Sequence, residues 1–172
     1  MLLRSSILCL LTITRATATP KDTCILPAGL AAEISTKFAG TRVVSLGDLD
    51  DYHRKLFKKD HGERCPGLAK VDFYGDHKPT WALVLISGEN PKRKAELVVA
   101  HQNATGWDLR SLEKTDGTPI VWREPPGKYE GLYQEDQVIR ATHPVIVFCG
   151  YESWAIVYAW KGREVQKVWI SD

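Results

Sequence analysis

The sequence predicts an α+β domain in which two N-terminal helices pack on a twisted, mainly antiparallel sheet of about 6–8 strands. Three observations lead there. Two segments of helical period precede residue 66. From Pro66 onward, short runs rich in Val, Ile, Trp and Tyr alternate with turn residues, as consecutive antiparallel strands do. Residues 82–86 and 145–148 are continuous apolar runs, the pattern of central strands covered on both faces.

The first helix opens at Pro27, carries Leu30, Ile34 and Phe38 at i, i+4 and i+8, and closes at Gly40. The second starts after Asp48, a residue suited to capping, and places Leu49, Tyr52 and Leu56 on one face. It stops near Gly62, and Arg54, Lys55, Lys58 and Lys59 read as its solvated side. Strands are expected near 68–74, 80–87, 95–102, 107–112, 119–123, 144–150, 154–160 and 164–170. Turns at 76–79, Asn90-Pro91, Asp116-Gly117 and Lys161-Gly162 separate several of them. In the strand near 154–160, Trp154, Ile156, Tyr158 and Trp160 share one face and Ala155, Val157 and Ala159 the other. Large residues on one side and small ones on the other predict two different packing partners. The longest irregular stretch, 124–142, begins Pro125-Pro126-Gly127 and holds Tyr129, Glu130, Tyr133, Glu135 and Asp136; Gln137 to Arg140 reads as a further short strand.

Residues 1–18 read as a cleavable signal peptide: Arg4 in a short basic start, an apolar run from Ile7 to Ile13, then Ala16, Thr17 and Ala18 as an A-x-A-like cleavage site. Export to the periplasm or the extracellular space is expected, with residues 19–172 forming a single domain. That apolar run is too short for a bilayer, and no later window supplies the roughly 20 apolar residues of a membrane helix. Arg4 and Arg15 leave with the signal, so the formal net charge of +2 falls to about zero. A nucleic-acid partner, which selects for a basic footprint, is not expected.

Cys24, Cys65 and Cys149 remain after the signal, and in an oxidising compartment three thiols give one bridge and one leftover. All three pairings are open on sequence grounds. Cys24 with Cys65 is preferred because both sit at element boundaries, whereas Cys149 follows the apolar run 145–148 and reads as a buried strand residue.

Residues 66–84 carry Asp72-Phe73-Tyr74-Gly75-Asp76 between two strand-like runs. This segment resembles one FG-GAP-type hairpin, whose D-F-N-G-D-G-x-x-D pattern sets oxygen ligands around calcium in β-propellers. Asp72 and Asp76 match that pattern, while Tyr74 replaces the Asn and Thr80 the final Asp. Calcium takes six to eight oxygens, so two lost side-chain ligands argue against a tight site, and the two Asp are expected to bond turn amides. The segment occurs once, whereas a propeller needs several blades. The layout of the whole chain is similar to that of small exported bacterial proteins that end in a Trp-rich hairpin, which implies compartment and size.

Other chemistry is sparsely supported. His53, His61, His77, His101 and His143 fall in no H-E-x-x-H or C-x-x-C pattern, so neither a metal site nor a cofactor is expected. Gly150-Tyr151-Glu152-Ser153-Trp154 lacks the glycines that flank the serine of a nucleophile elbow. Cys149 beside His143 or His101 would make a thiol nucleophile, but an apolar strand raises a thiol pKa and makes it inert. Asp50 with Asp51, and Glu130 with Glu135, are carboxylate pairs that composition alone generates. Asn103-Ala104-Thr105 is a glycosylation sequon.

The six tryptophans are more distinctive. Half or more are expected in the core; Trp122 is the first candidate for an exception, bordering Arg123 and the proline-stiffened loop with Tyr129, Glu130 and Tyr133. These five residues form the expected binding site, at low ordering cost on a stiff loop. The function expected is that of an exported, non-enzymatic binding protein of inhibitor or immunity type, whose partner is another protein or a cell-envelope component. The alternatives are a small hydrolase of wall or glycan material, using Asp72, Asp76 or Glu130 with a histidine, and a structural subunit of an envelope assembly.

Overall fold

A computed structural model describes residues 24–132 and 137–171. The expected signal peptide, Tyr133, Glu135 and Asp136 lie outside the described residues. The elements run α1 (Ala28–Lys37), β1 (Arg42–Val43), α2 (Asp51–His61), β2 (Leu68–Val71), β3 (Thr80–Ser87), β4 (Lys94–Asn103), β5 (Gly106–Asp116), β6 (Ile120–Glu124), β7 (Gly127–Glu130), β8 (Val138–Ala141), β9 (Val145–Gly150), β10 (Trp154–Lys161) and β11 (Glu164–Ser171).

The α+β expectation of two helices packed on one sheet is overturned. The chain is mainly antiparallel β, in sheets of five, four and two strands, with only two short helices. In the first sheet β1 and β2 lie end to end along the same edge of β3, followed by β4 and β5. The second runs β11-β10-β9-β6, and β7 pairs with β8 as a hairpin.

The two larger sheets stack face to face, because each offers a second apolar face that the helices are too small to cover. Ala82, Val84, Ile86, Leu97 and Val99 of the first sheet meet Val121, Ile146, Phe148, Ile156 and Tyr158 of the second in one dry core. On the outer face of the first sheet, α1 inserts Leu30 and Ile34 against Leu83, Leu85, Val98 and Ala100. On the outer face of the second, Phe57 of α2 and Ile139 of β8 cover Val147, Ala155, Val157 and Ala159. Each helix buries one or two side chains, so the sandwich is the dominant layer. The large-and-small alternation along β10 follows: Ile156 and Tyr158 fill the space between sheets, and the small residues let α2 and the hairpin approach.

Asp50, and not Asp48, caps α2: its carboxylate accepts the His53 N–H at 2.9 Å. Asp48 closes a capping box with Ser45 one turn earlier. At the crowded edge of β3, Gly67 donates its N–H to the Val44 carbonyl at 3.0 Å, and an added Cβ there would lie 2.6 Å from Val44 backbone. Cys24 and Cys65 are bridged, with S–S at 2.00 Å, and Cys149 is a buried free thiol. No helix among the described residues is long and apolar enough to cross a membrane.

Candidate functional site

The two large sheets touch along one side, where β2 of the first meets β6 of the second. One backbone bond joins them there, Val121 N–H to the Pro66 carbonyl at 2.8 Å. Beyond it β2 pairs with β3 and β6 with β9. The outer surface of this join is a groove of about 500 Å³.

Three local causes shape it. The helix α2 stops because Gly62 takes a positive φ of 70° and returns its N–H to the Lys58 carbonyl, which leaves Phe57 and His61 as one wall. The segment from Glu63 to Cys65 is then held by the bridge to Cys24. Leu68, Ala69 and Val121 make an apolar floor, flanked by Trp81 on one side and Trp122 on the other. Lys70 stands opposite Trp81 across the strand pair and holds its ammonium 5.7 Å from the ring centroid, within cation–π range.

The charge on this groove is one-sided. Arg64, Lys70 and Arg123 line it, and none of them forms an ion pair with a described carboxylate. Its one acidic wall residue, Glu63, is committed to Lys58 at 2.9 Å. A neighbouring recess of about 610 Å³ shares Lys70 and Arg123 and adds Asp72, His77 and Lys78; Asp72 there pairs with the His77 ring at 3.2 Å. Burial pushes the His61 imidazole pKa down, and the Arg64 charge adds to this while Asp60 and Glu124 oppose it. The lowered pKa favours the neutral imidazole, whose ring packs at a tilt between Phe57 at 4.8 Å and Trp122 at 5.0 Å between centroids. The Trp122 N–H donates to Glu124 Oε1 at 2.8 Å, which fixes the indole. The Trp81 N–H is buried with no acceptor among the described residues.

Of the residues expected to bind, Trp122 and Arg123 thus lie in the groove. Tyr129 and Glu130 lie on β7: the Tyr129 hydroxyl donates to the Pro125 carbonyl at 2.6 Å and its ring packs against the outer cluster of the second sheet, while Glu130 pairs with Lys128. Tyr133 is outside the described residues. Arg64, Lys70 and Trp81 were not singled out from the sequence. Each looks ordinary in isolation, since a strand tryptophan and scattered cations carry no spacing motif, and only the β2–β6 join brings them together.

The groups with potential for acid–base or nucleophilic work are placed elsewhere. Asp72 accepts the His77 N–H and Asp76 the Lys78 N–H, each at 3.2 Å. His101 bridges Asp76 Oδ2 at 3.2 Å and Thr80 Oγ1 at 2.9 Å, an order of carboxylate, imidazole and hydroxyl, but Thr80 is 0% exposed and no substrate reaches it. The His53 ring contacts Asp50, the cap of its own helix, at 2.7 Å. Burial pushes the Cys149 thiol up to about 12, so it is protonated at neutral pH. No group of three potential metal ligands occurs among the described residues.

No family model matches the chain, and no curated protein and no solved structure matches it either.

Proposed function

We propose that this chain is an exported binding protein, of inhibitor or immunity type, that recognises a macromolecular partner through the groove at Trp122 and Arg123. The observation that carries this reading is the set of three cations without carboxylate partners among the described residues, Arg64, Lys70 and Arg123, around an aromatic wall. Side chains that a fold uses for its own stability are normally paired or solvated away from apolar surface; here they flank one. Rigid indoles beside guanidinium groups are the composition of binding hot spots, because they lose little entropy on contact. The Cys24–Cys65 bridge supports an oxidising, exported location.

Affinity capture from the exported fraction of the producing cells tests it. Wild-type protein is compared with Trp122→Ala/Arg123→Glu and with Arg123→Glu alone, a change at an exposed position that leaves the core untouched. Partner recovery is expected to fall at least tenfold with both variants while the Arg123→Glu melting temperature stays at the wild-type value. Equal recovery by wild type and variants would remove the groove from the account.

A further inference from the structure

We infer that the occupant of the groove is an acidic peptide segment of a partner protein, which sets its carboxylates on Arg64, Lys70 and Arg123 and an apolar or aromatic side chain against Trp81 and Trp122. This rests on the binding function proposed for the same groove and names its ligand class.

Arg64 comes from the turn after α2, Lys70 from β2 and Arg123 from β6, so three separate elements deliver cations to one groove. None has a described carboxylate within ion-pair distance; of the nearby acids, Glu63 and Asp72 are paired with Lys58 and His77, Glu124 accepts the Trp122 N–H and Asp60 the Tyr151 hydroxyl. A ligand that brings carboxylates makes charge-assisted bonds with groups that break no ion pair to a described carboxylate on binding. Arginine suits this best, since its planar fork matches a carboxylate in two-point contact.

The second observation is the wall between the cations. Phe57, Leu68, Ala69 and Val121 are apolar, and two indoles close the sides. A polyanion such as a sulfated glycan or a nucleic-acid backbone presents charge with little apolar surface and is bound by long basic tracks. The three cations of this groove stand around apolar surface, which a polyanion leaves uncovered. A peptide alternates acidic and apolar side chains on the scale of neighbouring residues, which is the alternation found in the groove.

The test is selection of a phage-displayed library of random dodecapeptides on the immobilised full chain, followed by titration of the selected sequences as synthetic peptides. Expected are sequences enriched in Asp and Glu together with an aromatic or large aliphatic residue. Their binding should weaken as salt rises and fall at least tenfold for Lys70→Glu/Arg123→Glu. The charge-neutral Lys70→Gln/Arg123→Gln pair guards against a fold defect and should lose affinity to a smaller extent at an unchanged melting temperature. Amide shifts on titration should concentrate at 63–70 and 121–124. Selected peptides without acidic enrichment, or acidic peptides that bind the charge-reversed variant as well as wild type, would overturn the inference. Heparin is the polyanion control: tight, Arg123-dependent heparin binding with no acidic peptide selected would assign the groove to a different ligand class. Loss of partner capture by Arg123→Glu without any selected acidic peptide would leave the binding function standing and this inference refuted.

Discussion

The hydroxyl of Tyr158 on β10 donates to Glu113 Oε2 on β5 at 2.7 Å, and so bonds one sheet of the sandwich to the other. Lys167 of β11 donates to the same oxygen at 2.8 Å. β5 is the edge of its sheet away from β2, and β10 and β11 lie at the end of theirs away from β6. This cluster therefore closes the side of the sandwich opposite the groove.

Tyr158→Phe removes one neutral-to-charged bond and is expected to lower stability by about 1–2 kcal/mol in urea unfolding at pH 7. The pH profile gives a second reading. Burial alone would raise the Glu113 pKa, but the bonds from Lys167 and Tyr158 prevail and lower it. A carboxylate with a depressed folded-state pKa contributes stability that is complete above its unfolded value and lost as pH falls through the folded one. Glu113→Gln should therefore narrow the stability difference between neutral and acidic pH; an unchanged profile would show that the cluster contributes nothing.

Asp48 offers a stronger acid dependence. Its burial acts to raise its pKa, but bonds from Arg42 and Ser45 and the Arg42 charge overcome this and bring it to about 2. Its Oδ2 accepts Arg42 Nη1 at 2.6 Å and the Ser45 N–H at 2.9 Å, and buried Arg93 lies 3.8 Å from Oδ1. The contribution is fully present above the unfolded value near 4 and is lost between about pH 4 and pH 2. Asp48→Asn should cost about 1–2 kcal/mol at pH 7, with the difference from wild type shrinking toward pH 2. Chemical unfolding at pH 7, 4 and 3 measures it, and a pH-independent difference would contradict the assignment.

Much of the strand layout was legible because alternation and turn residues are local signals. The eight expected strands all occur, with ends within a few residues of the structure. β1 escaped notice because a two-residue strand carries no period, and β7 because it sits in a proline- and glycine-rich stretch. The sandwich itself was not legible. The run 82–86 shows that both faces of β3 are covered, but a second sheet and a helix leave the same apolar mark on it. The α2 cap was misplaced for a related reason: Asp48 and Asp50 are both good caps, and the choice depends on Arg42, which draws Asp48 into the preceding turn. Trp122 and Arg123 were legible as neighbours in sequence, whereas Lys70 joins Arg123 only through the meeting of two sheet edges.

The Cys24–Cys65 bridge closes a separation of 41 residues and ties the start of α1 to the start of β2. Constraint of the unfolded chain by such a loop is worth about 4 kcal/mol. Replacing both cysteines by alanine should lower the melting temperature by roughly 10 °C. A change under about 2 °C would mean that packing alone holds this corner.

Cys149 is expected to resist iodoacetamide in the native protein at pH 8 and to react fully in denaturant, since its thiol is buried against the outer face of the second sheet and protonated. Peptide mapping by mass spectrometry reads both states. Rapid native modification would reopen a chemical role for this thiol.

The groove at the β2–β6 join is the centre of the account, and site-specific photocrosslinking tests it most directly. A photoreactive residue at Glu63, an exposed position in the groove wall outside the three cations, is compared with one at Lys92, which does not line the groove. In the exported fraction the Glu63 probe should yield one dominant adduct that disappears with Arg123→Glu, and the Lys92 probe none. Adducts from Lys92 alone, or a Glu63 adduct indifferent to Arg123→Glu, would contradict it.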